Sequence, residues 1–233
     1  NAPVTRVIAR GFPNTAVLAS LAMLFSLGVG IPLGVWAAVH VNRWQDRLAM
    51  AGALGGVAVP SFVLAPVLVL MLAVQQGVLP PNGFALGDPS RKSWHYFVLP
   101  VLVLGARTMA LIARLTRSAM LDVLAQDYVR TARAKGLPER LVLFRHALRN
   151  AFPPILTAAG TTFGYLLSGS FVVETFFRIP GIGNQSIDAI IRRDYPMIQA
   201  LSLMMAFGFV LINVLTDILY GVLDPRTRRG EGA

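Results

Sequence analysis

The sequence predicts an all-α polytopic membrane bundle, and three observations carry that expectation. Of its 233 residues, 55% are hydrophobic and 14% charged, against about 25% charged in an ordinary soluble domain. Mean hydropathy is +0.62. Five stretches are apolar enough and long enough to cross a hydrocarbon core about 30 Å thick, which takes about 20 residues of helix; soluble helices of that length would each need a polar stripe. The net charge of +10 does not indicate nucleic acid, because the basic residues lie between apolar runs instead of along one soluble face. With no cysteine in the chain, disulfide and thiol chemistry is excluded.

The first expected span, 15–39, is uncharged. The second, 49–74, is also uncharged and holds Pro60 and Pro66, which predict a kink. The third, 97–115, contains Arg107 and Arg114. The fourth, 155–173, is uncharged and rich in Gly, Ser and Thr. The fifth, 197–219, carries Asn213 and Asp217 one turn apart, placed to hydrogen-bond between helices. The small residues suit close helix packing in lipid, where packing takes over from the hydrophobic drive. Loop charges set the orientation. Loops 40–48 and 116–154, the C-terminal tail and Arg114 hold 13 of the 21 Lys and Arg, whereas loops 75–96 and 174–196 hold 5. Cytoplasmic loops are the basic ones, so the first set and the C-terminus belong in the cytoplasm. Five spans then leave Asn1 outside, which points to a further helix upstream of it.

The longest basic loop, 116–154, contains "DYVRTARAKGLPERLVLFRHALRN" at 127–150. Asp127 is placed to cap a short helix, and Gly136 to end it in the left-handed region. Leu137-Pro138-Glu139 opens a second helix, since proline is tolerated in a first turn and an acid favours the N-terminus. Leu141, Phe144, Ala147 and Leu148 would form its apolar face. Asn150, Pro153 and Pro154 would break it before the fourth span. The small residues Ala132, Ala134 and Gly136 leave room for another protein's backbone around the bend.

"DYVRTARAKGL" followed by "RHALRN" and a proline pair resembles the loop of binding-protein-dependent ABC importer permeases. The similarity extends to "ARLTRSAMLDVLAQDYVRTARAKGL" (113–137), "GSFVVETFFRIPGIGNQSIDAIIRRDYPMIQ" (169–199) and "LYGVLDPRTR" (219–228), and covers about 13–228. Against the family's Glu-Ala-Ala-x-x-x-Gly motif only Ala132 and Gly136 match; Arg130 and Thr131 replace its Glu and first Ala. His146, Leu148 and Arg149 stand near the family's terminal Ile-x-Leu-Pro. Those departures resemble the dipeptide, oligopeptide and nickel branch.

The resemblance implies one permease domain over 1–233, in a family that usually has six spans, with an extra helix and an extracytoplasmic domain ahead of the first span seen here. It implies that the loop docks an ATPase subunit through Asp127, Tyr128, Arg130, Thr131, Ala132, Arg133, Ala134, Lys135, Gly136 and Leu137. The implied partners are a second permease, two ATPase subunits that carry ATP and Mg, an extracytoplasmic binding protein and the bilayer of a bacterial inner membrane. The implied substrates are di- or oligopeptides, with nickel chelates or glutathione as alternatives. An ATP-independent channel or secondary transporter would need no such loop.

Candidates for a translocation path or gate are Arg107, Ser168, Glu174, Phe177 and Asn213. An arginine at the centre of a membrane helix costs about 2.5–3.5 kcal/mol on insertion scales, so it belongs against protein or water. "ETFFRIPGIGN" (174–184) reads as a tight turn, with Phe176 and Phe177 at the membrane interface and, by resemblance, a gate under the binding protein. His40, His95 and His146 have no metal-ligand spacing. No nucleophile–base set is visible, and no G-x-x-x-x-G-K-[ST] loop exists, so the ATPase is another chain. This chain is expected to bind no metal or cofactor of its own and to catalyse no reaction.

Overall fold

The computed structural model describes residues 4–223, apart from the side chains at 168, 169, 217, 219, 220, 222 and 223. Arg226, Arg228 and Arg229 of the expected basic tail lie outside the described residues. The described residues are helical and turn structure with no strand. Among the described residues ten α-helices follow in order: α1 Val4–Val39, α2 Trp44–Ala58, α3 Ser61–Leu68, α4 His95–Leu124, α5 Asp127–Ala134, α6 Glu139–Leu141, α7 Arg149–Gly169, α8 Phe171–Phe176, α9 Ile182–Arg192 and α10 Tyr195–Leu223, with a short 3-10 turn at Pro89–Arg91. Wider π-helical turns carry α3 on through Val69–Gln75 and join α6 to α7 through Val142–Leu148.

Three of the expected spans are single helices long and apolar enough to cross a bilayer: Val4–Val39, His95–Leu124 and Tyr195–Thr216. The second expected span is a sharper object than a kinked helix, because α2 and the Ser61–Gln75 helix meet at 104°. Pro60 is the cause. It carries no N–H and pushes the preceding residue out of the helical region: Val59 sits at φ −86°, ψ 115°, and Pro60 itself caps the next helix. The fourth expected span, 155–173, differs too: it is not among the described helices long and apolar enough by themselves to cross a bilayer. α7 stops at Gly169, and Ser170 turns the chain before α8.

The proline pair does not break the second loop helix. Backbone from Glu139 to Gly169 is helical throughout, with Pro153 and Pro154 inside it. Each proline frees only the carbonyl four residues earlier. Those belong to Arg149 and Asn150, both exposed, so neither carbonyl is left in the packed interior.

α1 and α4 form the central pair, and glycines set their distance. A Cβ on Gly34 would lie 2.5 Å from the Ala113 carbonyl oxygen, and one on Gly105 3.0 Å from that of Ala22. In lipid, where chain and solvent are equally apolar, such small-residue contact replaces hydrophobic burial. Gly160 and Gly164 of α7 likewise lie under Thr216 and Phe209 of α10. The core runs along this axis in three layers. At one end Leu18, Phe84, Leu99, Val173, Phe177 and Ile179 pack together. Ala22, Ile112 and Ile155 fill the middle. Val35, Met120 and Ala147 close the end that carries the basic loop. Leu203 and Phe207 of α10 are 73% and 69% exposed, an outward apolar face of the kind a membrane helix presents.

Candidate functional site

At the basic end, α5 and α6 form a helix–turn–helix. Gln126, not Asp127, occupies the N-cap, and its side chain makes no capping bond. Asp127 is the first helical residue, where its carboxylate faces the positive end of the helix dipole and lies 3.6 Å from Arg130. The C-terminus is a Schellman turn. Gly136 N–H donates to Arg133 O at 2.9 Å and Leu137 N–H to Ala132 O at 3.4 Å, with Gly136 at φ +76°. That left-handed conformation costs a residue with a Cβ about 1–2 kcal/mol. A Cβ at Gly136 would meet nothing within 4 Å, so the constraint there is conformational only.

Below the turn, Val129, Ala132 and Val142 are buried, with Leu124 and Leu137 against them. Ala132 therefore faces its own chain and leaves no room for a partner. The outward surface consists of Tyr128, Arg130, Thr131, Arg133, Ala134, Lys135 and Gly136, all exposed. Arg133 pairs with Glu139 at 2.7 Å across the turn, and the carboxylate beside it raises the guanidinium's pKa. Asn150 donates to the Tyr128 hydroxyl at 3.0 Å and to the His146 carbonyl at 2.8 Å, which ties α5 to the helix that enters the membrane. The apolar face differs from the expected one. Phe144 is 61% exposed, while Val142 and Ala147, five apart, are fully buried. A π-helical turn bonds residues five apart, so the three-to-four spacing misplaces Phe144 and passes over Val142, while the expected Ala147 is buried and Leu148 packs beside it.

At the opposite end, Glu174 is fully buried and organises "PGIGN". Its Oε1 accepts from the Thr15 hydroxyl at 2.8 Å and from the Ser170 hydroxyl; its Oε2 accepts from the Asn184 N–H at 3.1 Å. Thr15 in turn accepts from the Ile182 N–H at 2.9 Å. Asn184 is in the first turn of α9, whose N-cap Gly181 has no side chain to give. The carboxylate therefore caps α9 from another helix. A Cβ at Gly181 would fall on that carboxylate, so the glycine admits the acid. Arg91 secures the neighbouring turn by donating to the carbonyls of Gly83, Phe177 and Arg178. Phe177 is fully buried in this layer, against the expectation that it would sit at the interface; Phe176 is 40% exposed.

Of the remaining candidates, Arg107 lies on the outward face of α4, exposed, and has no hydrogen-bond or ion-pair partner among the described residues. The Ser168 side chain lies outside the described residues, as does that of Asp217. Asn213 donates within its own helix, to Phe209 O at 3.0 Å, and does not join two helices. The structure thus gathers the loop residues at one end and Glu174 with Phe177 at the other, and leaves Arg107 between them.

One pair was missed. Arg117 of α4 makes two contacts with Asp46 of α2, at 2.5 and 2.6 Å, and the Asn42 N–H donates to the same carboxylate at 3.0 Å. These groups line a cleft of about 570 Å³ with Arg47 and Met50. The available signal was an acid at a span's start and a base near another span's end on the same side of the membrane.

Residues 30–229 match the family described as binding-protein-dependent transport system inner membrane component. Over 226 residues the chain is 43% identical to the glutathione transport system permease protein GsiC of Escherichia coli K12 and to that of Salmonella typhimurium, covering 97% of this chain and 72% of each relative. Its fold is similar to a chain of the inward-facing MetNI methionine ABC transporter, with TM-score 0.80 and 18% identity over 96% of this chain and 99% of the other. It also matches a chain of an amino acid ABC transporter, with TM-score 0.61 and 19% identity over 95% and 94%.

Proposed function

The chain belongs to the binding-protein-dependent transport system inner membrane components, a multi-pass permease of the ABC importer class, and from that premise we propose that it carries short peptides, with glutathione the first candidate. The observation that carries the substrate reading is the 43% identity to glutathione permeases over 97% of the chain. In this reading a second permease completes the path, an extracytoplasmic binding protein delivers the peptide, and two ATPase subunits carry ATP and Mg. The C-terminus is cytoplasmic. The exposed face of α5 around Arg130, Thr131, Arg133 and Lys135 docks an ATPase subunit. Two features support that role: a fixed Schellman turn and a buried underside that joins it to α4. The spans then alternate between inward- and outward-open states as the ATPase pair closes and reopens. Glu174 and Phe177 act through the loop they hold, and Ser168, Asn213 and Arg107 are assigned to the path.

The test is reconstitution of the purified complex in proteoliposomes with its binding protein. Uptake of radiolabelled glutathione that requires ATP inside the assembly supports the reading. Uptake of a nickel chelate and of no peptide would replace the substrate. Uptake by this chain without any ATPase would overturn the mechanism.

A further inference from the structure

We infer that the outward face of α4 from Arg107 to Asp122 is a wall of the water-filled path, and that Arg107 holds a carboxylate of the passing substrate. The inference rests on the permease reading above and extends it to one site. Arg107, Arg114, Ser118 and Asp122 are all exposed. Their spacings of seven, four and four residues place them in one stripe, since side chains four and seven apart share a helix face. The stripe is open on one side only. Toward the opposite end the next residues on that face are Val103 and Pro100, and both are buried. Leu18, Ala65 and Phe84 pack in the layer that covers Val103. The stripe is therefore a cleft wall that begins at Arg107 and opens toward the basic end.

Lipid is an unfavourable neighbour for this wall. Arg107 falls near the middle of the apolar stretch 97–115, roughly 15 Å from one edge and roughly 12 Å from the other at about 1.5 Å per residue, so its backbone lies well inside the hydrocarbon layer. Facing lipid there would cost about 2.5–3.5 kcal/mol for this one charge. No acid within the described chain neutralises it. A lone guanidinium at the closed end of a wet, low-dielectric cleft concentrates positive potential, and its planar fork matches a carboxylate bidentately. A tripeptide of the glutathione type carries two carboxylates and one ammonium group, so it presents such a partner and a net negative charge.

The absence of native cysteine makes a direct test available in the assembled complex with cysteine-free partner subunits. Ser118→Cys is expected to react with a membrane-impermeant anionic methanethiosulfonate, and faster than with its cationic counterpart. Thr116→Cys, on the buried face, is expected not to react. Uptake of S-methylglutathione and of its bis-amide is then compared between variant and wild type with the same binding protein, so that the binding protein's preference cancels. Arg107→Gln should raise KM for the acid about tenfold, the size of one charge-assisted hydrogen bond, and leave the bis-amide unchanged, with Arg107→Lys between. An unreactive Ser118→Cys in a complex that transports would mean that protein or lipid covers the wall, and would overturn the inference. So would an equal effect of Arg107→Gln, or of Arg107→Lys where the glutamine variant does not assemble, on acid and bis-amide. Failure of the permease reading looks different, because the wild-type complex would then show no ATP-driven uptake of either compound.

Discussion

The Thr15 hydroxyl donates to the Glu174 carboxylate at 2.8 Å across 159 positions of sequence. This bond joins α1 to the segment that enters α9, and the same carboxylate holds Ser170 and the Asn184 N–H. Glu174→Ala strands two buried hydroxyls, Thr15 and Ser170, and the part-buried Asn184 N–H; a buried donor left unpaired costs about 1–3 kcal/mol. The variant complex should melt several degrees lower by intrinsic tryptophan fluorescence. Gly181→Ala should do the same from the other side of the contact, because its methyl group occupies the carboxylate's place. A wild-type melting temperature for both would show that the buried acid is not the fastening point.

Gly136→Val should leave the spans inserted and impair ATPase docking. The substitution imposes about 1–2 kcal/mol of backbone strain at a φ of +76°, and the turn can relax only by shifting α5. Gly136→Asn should be milder, since asparagine visits the left-handed region more readily. Co-purification of the ATPase subunit and substrate-stimulated ATP hydrolysis should both fall in the order Gly, Asn, Ala, Val. If valine matched glycine in both measurements, the turn would be no docking element.

Asp46→Ala leaves Arg117 facing a carboxylate that is gone. Removing one partner of a buried pair costs about 3–5 kcal/mol; Arg117 keeps 25% side-chain exposure, which lowers the expectation to about 2 kcal/mol. The double variant Asp46→Leu with Arg117→Leu should recover most of the loss in melting temperature. A double variant as unstable as the single one would point to the Asn42 turn, not the ion pair, as the source.

A reporter active only in the cytoplasm, fused after Arg229, should be active. The expectation rests on the basic loops gathering on one side of the spans. Activity from a periplasmic reporter alone at that site would reverse the orientation and remove the loop from any cytoplasmic ATPase.

Much of the fold was legible because its strongest signals are local. Long, mostly apolar runs mark α1, α4 and α10 despite Arg107 and Arg114 in α4, and a glycine after "RTARAK" marks a helix end whatever surrounds it. The misreadings arose where backbone hydrogen bonding departs from the α pattern. π-helical turns at Val142–Leu148 shift the buried face from Phe144 to Val142. Exposure of Arg149 and Asn150 lets two prolines stay inside a helix, which the proline pair alone does not reveal. Glu174 was visible as a lone acid before "PGIGN", with Ser170 only four residues away, but its role depends on Thr15, 159 positions distant, which only the assembled bundle brings to it. Asp46 and Arg117 were unreadable as a pair for the same reason, 71 positions apart.

The unbroken helix from Glu139 to Gly169 is a connecting rod. At about 1.5 Å per residue it spans roughly 45 Å, with the turn around Gly136 at one end and Ser170, hydrogen-bonded to Glu174, at the other. A helix is stiff along its axis, so an axial thrust of a few ångströms applied under the membrane arrives on the far side with little loss. Bending is a different matter, since the π-helical turns and the proline pair thin its hydrogen-bond ladder near the basic end. The rod therefore has a built-in knuckle at the basic end and a rigid shaft beyond it, a shape that would turn a push into a swing if that end docks an ATPase as proposed.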